Sequence, residues 1–339
     1  MYFATIDCGT TNSRVYIINE KSEILGQAEK KIGVRNTAIT GNKQVLKTGL
    51  VEVFYTALEI TNLKLSDIKF IISSGMITSE IGLIEIPHIW APAGSYQLAT
   101  HIKKVQDTSI FPVEIPIYFI CGIKNKYNLQ NSTIKSVGNL DFMRGEETQV
   151  VGLFILHDIE PPLTIVVLSS HTKFIPIDKN QNILGSITTV SGQVYEAIIK
   201  ETFVGKSIRA NNDFDAENYF NEDIVNSAFY WVKESGFLRS LLLPRFMDVL
   251  LKTEWYEREL FVESVIASED LEAMSKLQDF ASDKTFILIG PERRCLIYQY
   301  LLKEKKRIKK ILKITDKRDI DHLSITGSIH LAKLAGLMT

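Results

Sequence analysis

Short apolar runs separated by small polar turns begin the chain, and the same pattern returns in its middle. The runs at Tyr2–Asp7, Arg14–Asn19 and Ile24–Lys31 predict three consecutive strands, because each is bounded by turn residues. The segment Thr164–Gly185 repeats the pattern of Thr5–Gly26 without a gap, and each copy has a hydroxyl-rich turn after its first strand. Two such copies predict two similar domains, each beginning with a strand hairpin.

Helical spacing of apolar residues predicts most of the longer elements. The predicted helices are Lys43–Thr61, Arg144–Leu156, Gly192–Glu201, Asp223–Glu234, Leu238–Lys252 and Tyr256–Met274. Further short strands are predicted at Lys69–Ser74, Ile117–Cys121 and Thr285–Ile289, and Gly290 ends the last of them before a helix that begins near Pro291. This alternation is typical of α/β domains with mixed sheets.

The length of 339 residues allows two or three domains. A polar, proline-containing stretch at Asp158–Pro162 is interpreted as a linker. We therefore expect an N-terminal domain over 1–160 and a C-terminal domain over 161–339.

Composition excludes several kinds of partner. The 39 basic residues nearly balance the 40 acidic ones, so we expect neither a nucleic-acid partner nor a membrane surface. No segment has the apolar length of a membrane span, and we expect no signal peptide. The three cysteines, Cys8, Cys121 and Cys295, lack zinc or disulfide spacing and predict buried thiols in a reducing cytoplasm. The pattern does not specify an oligomeric state.

The first candidate site is the turn of the first hairpin, Asp7–Arg14, which reads DCGTTNSR. Gly9 permits a tight turn and a close approach to a ligand. Thr10, Thr11 and the turn amides can then cradle phosphate oxygens, with Asn12 and Arg14 beside them. Asp7 at the strand end is a candidate Mg²⁺ ligand, directly or through water. The alternative is an ordinary polar hairpin, because Asp-x-Gly-Thr is short and common.

The turn of the second copy supplies a different set of groups. In the ungapped alignment Val166 replaces Asp7 and Leu168 replaces Gly9, so this copy lacks the metal ligand. Ser170, His171 and Lys173 remain as candidate phosphate ligands. The alternative is that the histidine is structural and the lysine extends along apolar surface to reach solvent.

The third candidate site is Met143–Gln149, which reads MRGEETQ and begins a predicted helix. Glu146 and Glu147 can supply a general base, and Arg144 can hold a substrate or a phosphate. Because successive helical residues point about 100° apart, both glutamates are not expected to face one ligand. Acidic residues in a first turn also simply favour the helix dipole, and the chemistry alone leaves both interpretations open. The sequence has no Walker A loop, GxGxxG, HExxH or GxSxG motif and no protein-kinase signature.

These motifs together resemble the 2-dehydro-3-deoxygalactonokinase family of the acetate and sugar kinase/Hsc70/actin superfamily. The resemblance is carried by MRGEETQ, DCGTTNSR, Gly75-Met76…Ser79…Gly82, His171…Lys173, Ser191-Gly192 and Asp321…Thr326-Gly327. It implies an actin-like ATPase (ribonuclease H-like) fold of two similar domains with a nucleotide cleft between them. It also implies transfer of the γ-phosphoryl group of ATP to the 6-hydroxyl of 2-dehydro-3-deoxy-D-galactonate, with ATP and Mg²⁺ required.

The resemblance further assigns roles to individual residues. Met76, Ser79, Arg144 and Glu147 would lie toward the sugar acid, and a glutamate of the 146–147 pair would be the base. Residues implied to serve the nucleotide or its metal are Asp7, Gly9, Thr10, Thr11, Asn12, Arg14, Ser170, His171, Lys173 and Gly290.

The chain departs from the family pattern at several turns. Ser169 stands in the second turn where the family has glycine, Gln193 where it has glutamate, and Leu83 where it has an aromatic residue. These departures favour an alternative hypothesis, a non-catalytic or regulatory relative that binds a sugar acid or a nucleotide. A chaperone- or filament-type ATPase is a third hypothesis, disfavoured because no peptide-binding domain is evident. The leading hypothesis is the kinase.

Overall fold

The computed structural model describes residues 1–128, 130, 133–275 and 285–338. The chain forms two compact units. Unit 1 comprises Met1–Glu160, Gln181–Gly185 and Asp321–Thr339, and unit 2 comprises Pro161–Asn180 and Ser186–Ile320. The predicted C-terminal domain over 161–339 therefore differs from the structure at two segments, which belong to unit 1.

Unit 1 is built around a mixed sheet. Its elements are β1 (Tyr2–Cys8), β2 (Ser13–Asn19), β3 (Ile24–Lys30), α1 (Val34–Thr40), α2 (Gln44–Glu59), β4 (Ile68–Gly75), β5 (Ile89–Trp90), α3 (Ser95–Thr100), β6 (Lys103–Val105), β7 (Ile117–Phe119), β8 (Ile123–Lys124), β9 (Phe142–Met143) and α4 (Glu146–Leu156). The six-stranded sheet has the order β3-β2-β1-β4-β7-β6, with β1 antiparallel to β2 and parallel to β4. The predicted opening strands are confirmed, whereas α1 is too short for its spacing to predict it.

Unit 2 repeats the arrangement of hairpin and parallel strand. Its elements are β10 (Leu163–Leu168), β11 (Thr172–Ile177), β12 (Ile187–Thr189), α5 (Ser191–Glu201), α6 (Val204–Ile208), α7 (Glu222–Ser235), α8 (Phe237–Val249), α9 (Trp255–Met274), β13 (Thr285–Ile289), α10 (Glu292–Lys306) and β14 (Ile311–Ile314). The sheet order is β12-β11-β10-β13-β14. Its core joins Val166 and Leu288 of the sheet with Leu271 of α9 and Leu301 of α10.

The last helix, α11 (Lys317–Leu334), explains why the end of the chain belongs to unit 1. A Cβ atom placed on Gly327 would lie 2.0 Å from the carbonyl oxygen of Thr148, so the glycine lets α11 lie directly against α4. The contact joins residues that are far apart in sequence, and local spacing carries no information about it. Among the described residues, no helix combines the length and apolar character that a membrane crossing requires.

Strand register corrects the ungapped repeat alignment. Cys8 pairs with Ser13 at the end of the first hairpin, and Leu168 pairs with Thr172 at the end of the second. The second turn is thus one residue shorter, and the structural counterpart of Asp7 is Val167 rather than Val166. The ungapped alignment is wrong by one residue in the first strand, because a turn can lose a residue while the flanking strands keep their pairing.

Each hairpin lies against a glycine at the end of the neighbouring parallel strand. Gly75 has φ +89° and its Cβ would lie 2.5 Å from the carbonyl oxygen of Cys8; Gly290 has φ +156° and its Cβ would lie 2.6 Å from that of Leu168. A side chain at either position would force the strand end away from the turn. These equivalent glycines let both turns sit close against their sheets.

We expect Gly75→Ala to destabilise the protein by about 3 kcal/mol or more, because it combines backbone strain with a collision against a backbone carbonyl. Gly236→Ala is the matched control, since Gly236 has φ +82° with nothing within 4 Å of its Cβ position. The control has φ +82° and ψ 165°, a strained backbone without the collision, and should lose only about 1 to 2 kcal/mol. Urea unfolding of both variants measures the difference, and equal losses would contradict the close-packing argument.

Candidate active site

The first turn of unit 1 is closed by its own backbone. The amide of Gly9 donates to the carbonyl oxygen of Asn12 at 2.9 Å, and the carbonyl oxygen of Thr10 accepts from the amide of Arg35 near the start of α1 at 2.9 Å. Gly9, Thr10 and Thr11 are half-buried, and Asn12 is exposed. The turn therefore presents small polar groups on a backbone that two elements hold in place.

Acidic groups surround Arg14 next to this turn. Its Nη1 lies 3.7 Å from Asp7 Oδ2 and 3.3 Å from Asp321 Oδ1, and its Nε lies 3.4 Å from Glu29 Oε2. Burial raises the pKa of Asp7 to about 6, Arg14 opposes this, and the carboxylates of Asp321 and Glu146 raise the pKa further. One guanidinium thus faces several carboxylates at once.

This donor set suits Mg²⁺. Among the described residues, no three His, Cys, Asp or Glu side chains are grouped so that they could enclose a metal ion. Mg²⁺ does not need such a cage, because it usually keeps several waters and binds through one or two carboxylates plus substrate phosphates. The carboxylate of Asp7 and the small polar groups of the neighbouring turn fit that mode of binding.

Arg144 braces the segment that follows β4. Its Nη1 donates to Thr78 Oγ1 at 2.7 Å, and its Nη2 donates to the carbonyl oxygen of Ile86 at 2.7 Å and lies 3.2 Å from His88 Nδ1. Ser79 is buried, and its hydroxyl donates to the carbonyl oxygen of Met76 at 2.7 Å. The structure therefore brings together two separate motifs, with the guanidinium acting on Thr78 and the backbone around it.

The two glutamates at the start of α4 differ sharply. Glu147 is only 1% exposed, and its carboxyl oxygens accept from the amide of Gly145 at 2.9 and 2.8 Å. Burial, with a smaller contribution from Glu146, raises the pKa of Glu147 to about 8. Glu146 is half-buried and its Oε2 accepts from the amide of Arg144 at 3.2 Å. The two carboxyl groups thus differ in burial and in the amide from which each accepts.

The second turn, Ser169–His171, is held by α5 and α10. The amide of Gln193 donates to the carbonyl oxygen of Ser170 at 2.9 Å, and Arg294 Nη1 donates to that of Ser169 at 2.7 Å. Ser169 has no left-handed backbone angle, so a serine fits where the family has glycine. His171 is half-buried, and Gln193 Nε2 lies 3.4 Å from its Nε2.

Lys173 follows this turn on β11. It is 5% exposed, and its Nζ donates to Thr188 Oγ1 at 2.5 Å. The cation is therefore kept inside unit 2, on the strand that leaves the turn.

Unit 2 also contains a pocket of about 300 Å³ beside the second turn. Its wall includes Ser191, Gly192, Tyr195, Glu263, Pro291, Arg294 and Tyr298. The predicted residue Gly290 precedes this wall and packs against Leu168 instead. Sequence reasoning identified the turns at Gly192 and Pro291 but missed Tyr195 and Glu263, which reach the pocket from helices. A volume near 300 Å³ is at the lower end of small-molecule sites and suits a nucleoside.

The pKa of Glu147 makes stability depend on pH. The value is about 8 in the folded chain against 4.5 for an ordinary glutamate, so the folded state binds the proton more tightly. The stabilisation that this proton gives the folded state is complete at acidic pH and is lost as pH rises through about 8. As pH rises from 5 to 8, we expect the melting temperature of Glu147→Gln to increase by several degrees relative to that of the natural chain. A difference in melting temperature that stays constant across that pH range would contradict this. Glu160→Gln, at an exposed position, is the control and should show such a constant difference.

Comparison with known proteins adds independent evidence. A family model described as 2-keto-3-deoxy-galactonokinase matches residues 7–317. A probable 2-dehydro-3-deoxygalactonokinase, DgoK1, of Rhizobium meliloti (strain 1021) is 24% identical over 225 residues, which cover 66% of this chain and 65% of that relative. The chain thus spans just under two thirds of the length of the curated relative that it matches.

Two solved structures show the same fold. A candidate 2-dehydro-3-deoxygalactonokinase from Sinorhizobium meliloti has a TM-score of 0.70 at 19% identity, covering 98% of both chains. The activator of the 2-hydroxyisocaproyl-CoA dehydratase from Clostridium difficile, with bound ADPNP, has a TM-score of 0.51 at 14% identity, covering 99% of this chain and 97% of that one. The predicted class, an α/β fold of the actin-like ATPase and sugar-kinase type, is confirmed.

The matched range contains both hairpin turns and the whole of Met143–Gln149. The resemblance inferred from those motifs is therefore confirmed, and the chain belongs to the 2-keto-3-deoxy-galactonokinase family of carbohydrate kinases.

Proposed function

We propose that this protein transfers the γ-phosphoryl group of ATP to the 6-hydroxyl of 2-dehydro-3-deoxy-D-galactonate or of a close 2-keto-3-deoxy acid. The observation that carries the proposal is the carboxyl group of Asp7 beside a turn of small polar residues, with the carboxylates of Asp321 and Glu146 close enough to raise its pKa. A cation with bound phosphate would stabilise the charged form of Asp7. The family membership supplies the acceptor.

Asp7 is the residue that we assign to the metal, directly or through water. Mg²⁺ bound there would draw charge from the phosphate oxygens during transfer. Arg14 holds the Asp7 carboxylate from its other side, at 3.7 Å, and keeps it oriented.

Small polar groups of both turns serve the nucleotide in this proposal. In unit 1 we assign Gly9, Thr10, Thr11 and Asn12 to phosphate binding, because their amides and side chains offer hydrogen-bond donors. In unit 2 we assign Ser170, His171 and Lys173 to phosphate binding, and the pocket of about 300 Å³ to the adenosine.

We assign Glu146 as the general base. Glu147 is unsuited to that role, because it is buried, is bound to Gly145 and holds a proton at neutral pH. Glu146 is half-buried and interacts with Asp7. Its carboxylate lies in the first turn of α4, where the helix dipole favours negative charge. From there it accepts the proton of the attacking hydroxyl.

The sugar acid is assigned to the segment Met76–Ser79. Arg144 fixes this segment through Thr78, so its role is to orient the acid-binding backbone and the hydroxyl of Ser79. We infer a cytoplasmic location as well, because the three cysteines are buried free thiols and ATP is a cytoplasmic substrate.

The direct test measures ADP release with MgATP and a panel of 2-keto-3-deoxy sugar acids. We expect turnover on one acid, its loss in Asp7→Asn, and retention in Asp158→Asn, which removes an exposed charge of the same type. Activity should fall as pH drops through about 6, because protonation of Asp7 competes with the metal. ADP binding without turnover on any acid would favour the regulatory relative instead.

A second test separates the two glutamates. We expect Glu146→Gln to lower kcat by about 10²- to 10⁴-fold, the usual contribution of a general base, with little change in nucleotide affinity. Glu147→Gln is the matched neighbour and should lose less than about tenfold, since its amide still accepts from Gly145. If Glu147→Gln abolishes turnover and Glu146→Gln does not, the assignment of the base is wrong.

A further inference from the structure

Asp270 is a buried carboxylate near the end of α9. It is 2% exposed, and both of its oxygens accept from the hydroxyl of Ser191, at 2.6 and 2.7 Å. The hydroxyl of Tyr298 also donates to Oδ2. These donors are neutral, and a buried carboxylate is costly unless its hydrogen bonds are complete. Asp270 therefore depends on these two side chains, and they depend on it.

Both partners of Asp270 belong to the wall of the unit 2 pocket. Ser191 is the first residue of α5, and Tyr298 lies on α10. Ser191 Oγ also lies 2.6 Å from Thr189 Oγ1, at the end of β12. One carboxylate outside the pocket wall thus links three helices, α5, α9 and α10, and each of them contributes residues to the wall.

The same network continues to the second turn. Tyr298 Oη lies 3.2 Å from Thr172 Oγ1, which also accepts from Arg294 Nη2 at 3.2 Å. Arg294 Nη1 in turn holds the carbonyl oxygen of Ser169. Next to Ser191, the Cβ position of Gly192 is 2.3 Å from that same carbonyl oxygen, so α5 presses directly on the turn. Asp270 is therefore connected to the turn by two routes, one through Tyr298 and Thr172 and one through Ser191 and α5.

Unit 1 holds its equivalent turn differently. Ser13 occupies the register position of Thr172, and its hydroxyl donates to the backbone carbonyl of Ile32 at 2.8 Å. In unit 1 a backbone carbonyl thus binds the hydroxyl at this register position, whereas in unit 2 Tyr298, itself bonded to Asp270, does so. The network around Asp270 is thus a particular feature of the half to which we assign the adenosine.

We infer that Asp270 is a positioning residue for nucleotide binding: through Ser191 and Tyr298 it fixes the pocket wall, and through Thr172 it fixes the turn Ser169–His171. Asp270 is not part of the pocket wall and acts only through these neighbours. This inference rests on the nucleotide role proposed for unit 2, and it requires nothing about the sugar acid.

The test compares Asp270→Asn with the natural chain by calorimetric titration with MgADP. An asparagine offers a single acceptor oxygen, so we expect the Kd to rise by about tenfold or more. In turnover assays the KM for ATP should rise in parallel, while the KM for the acid changes by less than about twofold. Combining Asp270→Asn with Tyr298→Phe should weaken MgADP binding little more than Asp270→Asn alone, because both changes break the same network.

Asp248→Asn is the matched control. Asp248 also accepts from a serine hydroxyl, that of Ser207 at 2.8 Å, and it is not in the pocket wall. If Asp270 has only a structural role, Asp270→Asn will lower the melting temperature and leave the Kd for MgADP unchanged. That result overturns the inference. If Asp270→Asn does not fold, Ser191→Ala and Tyr298→Phe must each weaken MgADP binding, and unchanged affinity in both also overturns it.

Failure of the proposed reaction gives a different result. If the natural chain binds MgADP but phosphorylates no acid, the kinase proposal fails while the Kd comparison still decides the role of Asp270. If the natural chain binds no MgADP, both the nucleotide assignment and this inference are overturned.

Discussion

The contact between a hairpin turn and the end of the next parallel strand is the constraint on which both units depend. Gly75 and Gly290 allow this contact, because any side chain there would meet the carbonyl oxygen of Cys8 or Leu168. In each unit the helix after the third strand then donates a backbone hydrogen bond to the turn. The donor helix is α1 in unit 1 and α5 in unit 2. The ligand groups are thus fixed by backbone packing, independently of their own side chains.

This shared scaffold carries opposite chemistry in the two units. At the same register, unit 1 pairs Asp7 with Arg14, whereas unit 2 pairs Val167 with Lys173. The first turn is therefore surrounded by acidic groups and suits a hydrated cation, while the second offers hydroxyls, an imidazole and a buried ammonium group. The two copies therefore share a backbone arrangement and differ in the charge of the side chains at their turns.

The sequence predicted what depends on local pattern. The hairpins follow from alternating apolar runs, and the start of α4 follows from the helical spacing of the residues after Glu147. It did not predict that Gly327 packs on Thr148, or that the second turn is one residue shorter, because these depend on contacts distant in sequence. The roles of Tyr195 and Asp270 were missed for the same reason: a single side chain on a helix gives no signal of what it faces.

The charged residues of the MRGEETQ segment differ in burial. Arg144 donates to Thr78 and to the carbonyl of Ile86, while Glu147 accepts from the amide of Gly145, and burial raises the pKa of Glu147 to about 8. An arginine and two glutamates in sequence suggest three reactive groups, but two of them lie buried against neighbouring residues. Glu146 is left as the accessible carboxylate of the segment, oriented by the rigid backbone that its neighbours create. The departures at Ser169 and Gln193 lie in unit 2, whereas Glu146 lies in unit 1, so in our proposal they bear on the nucleotide and not on the base.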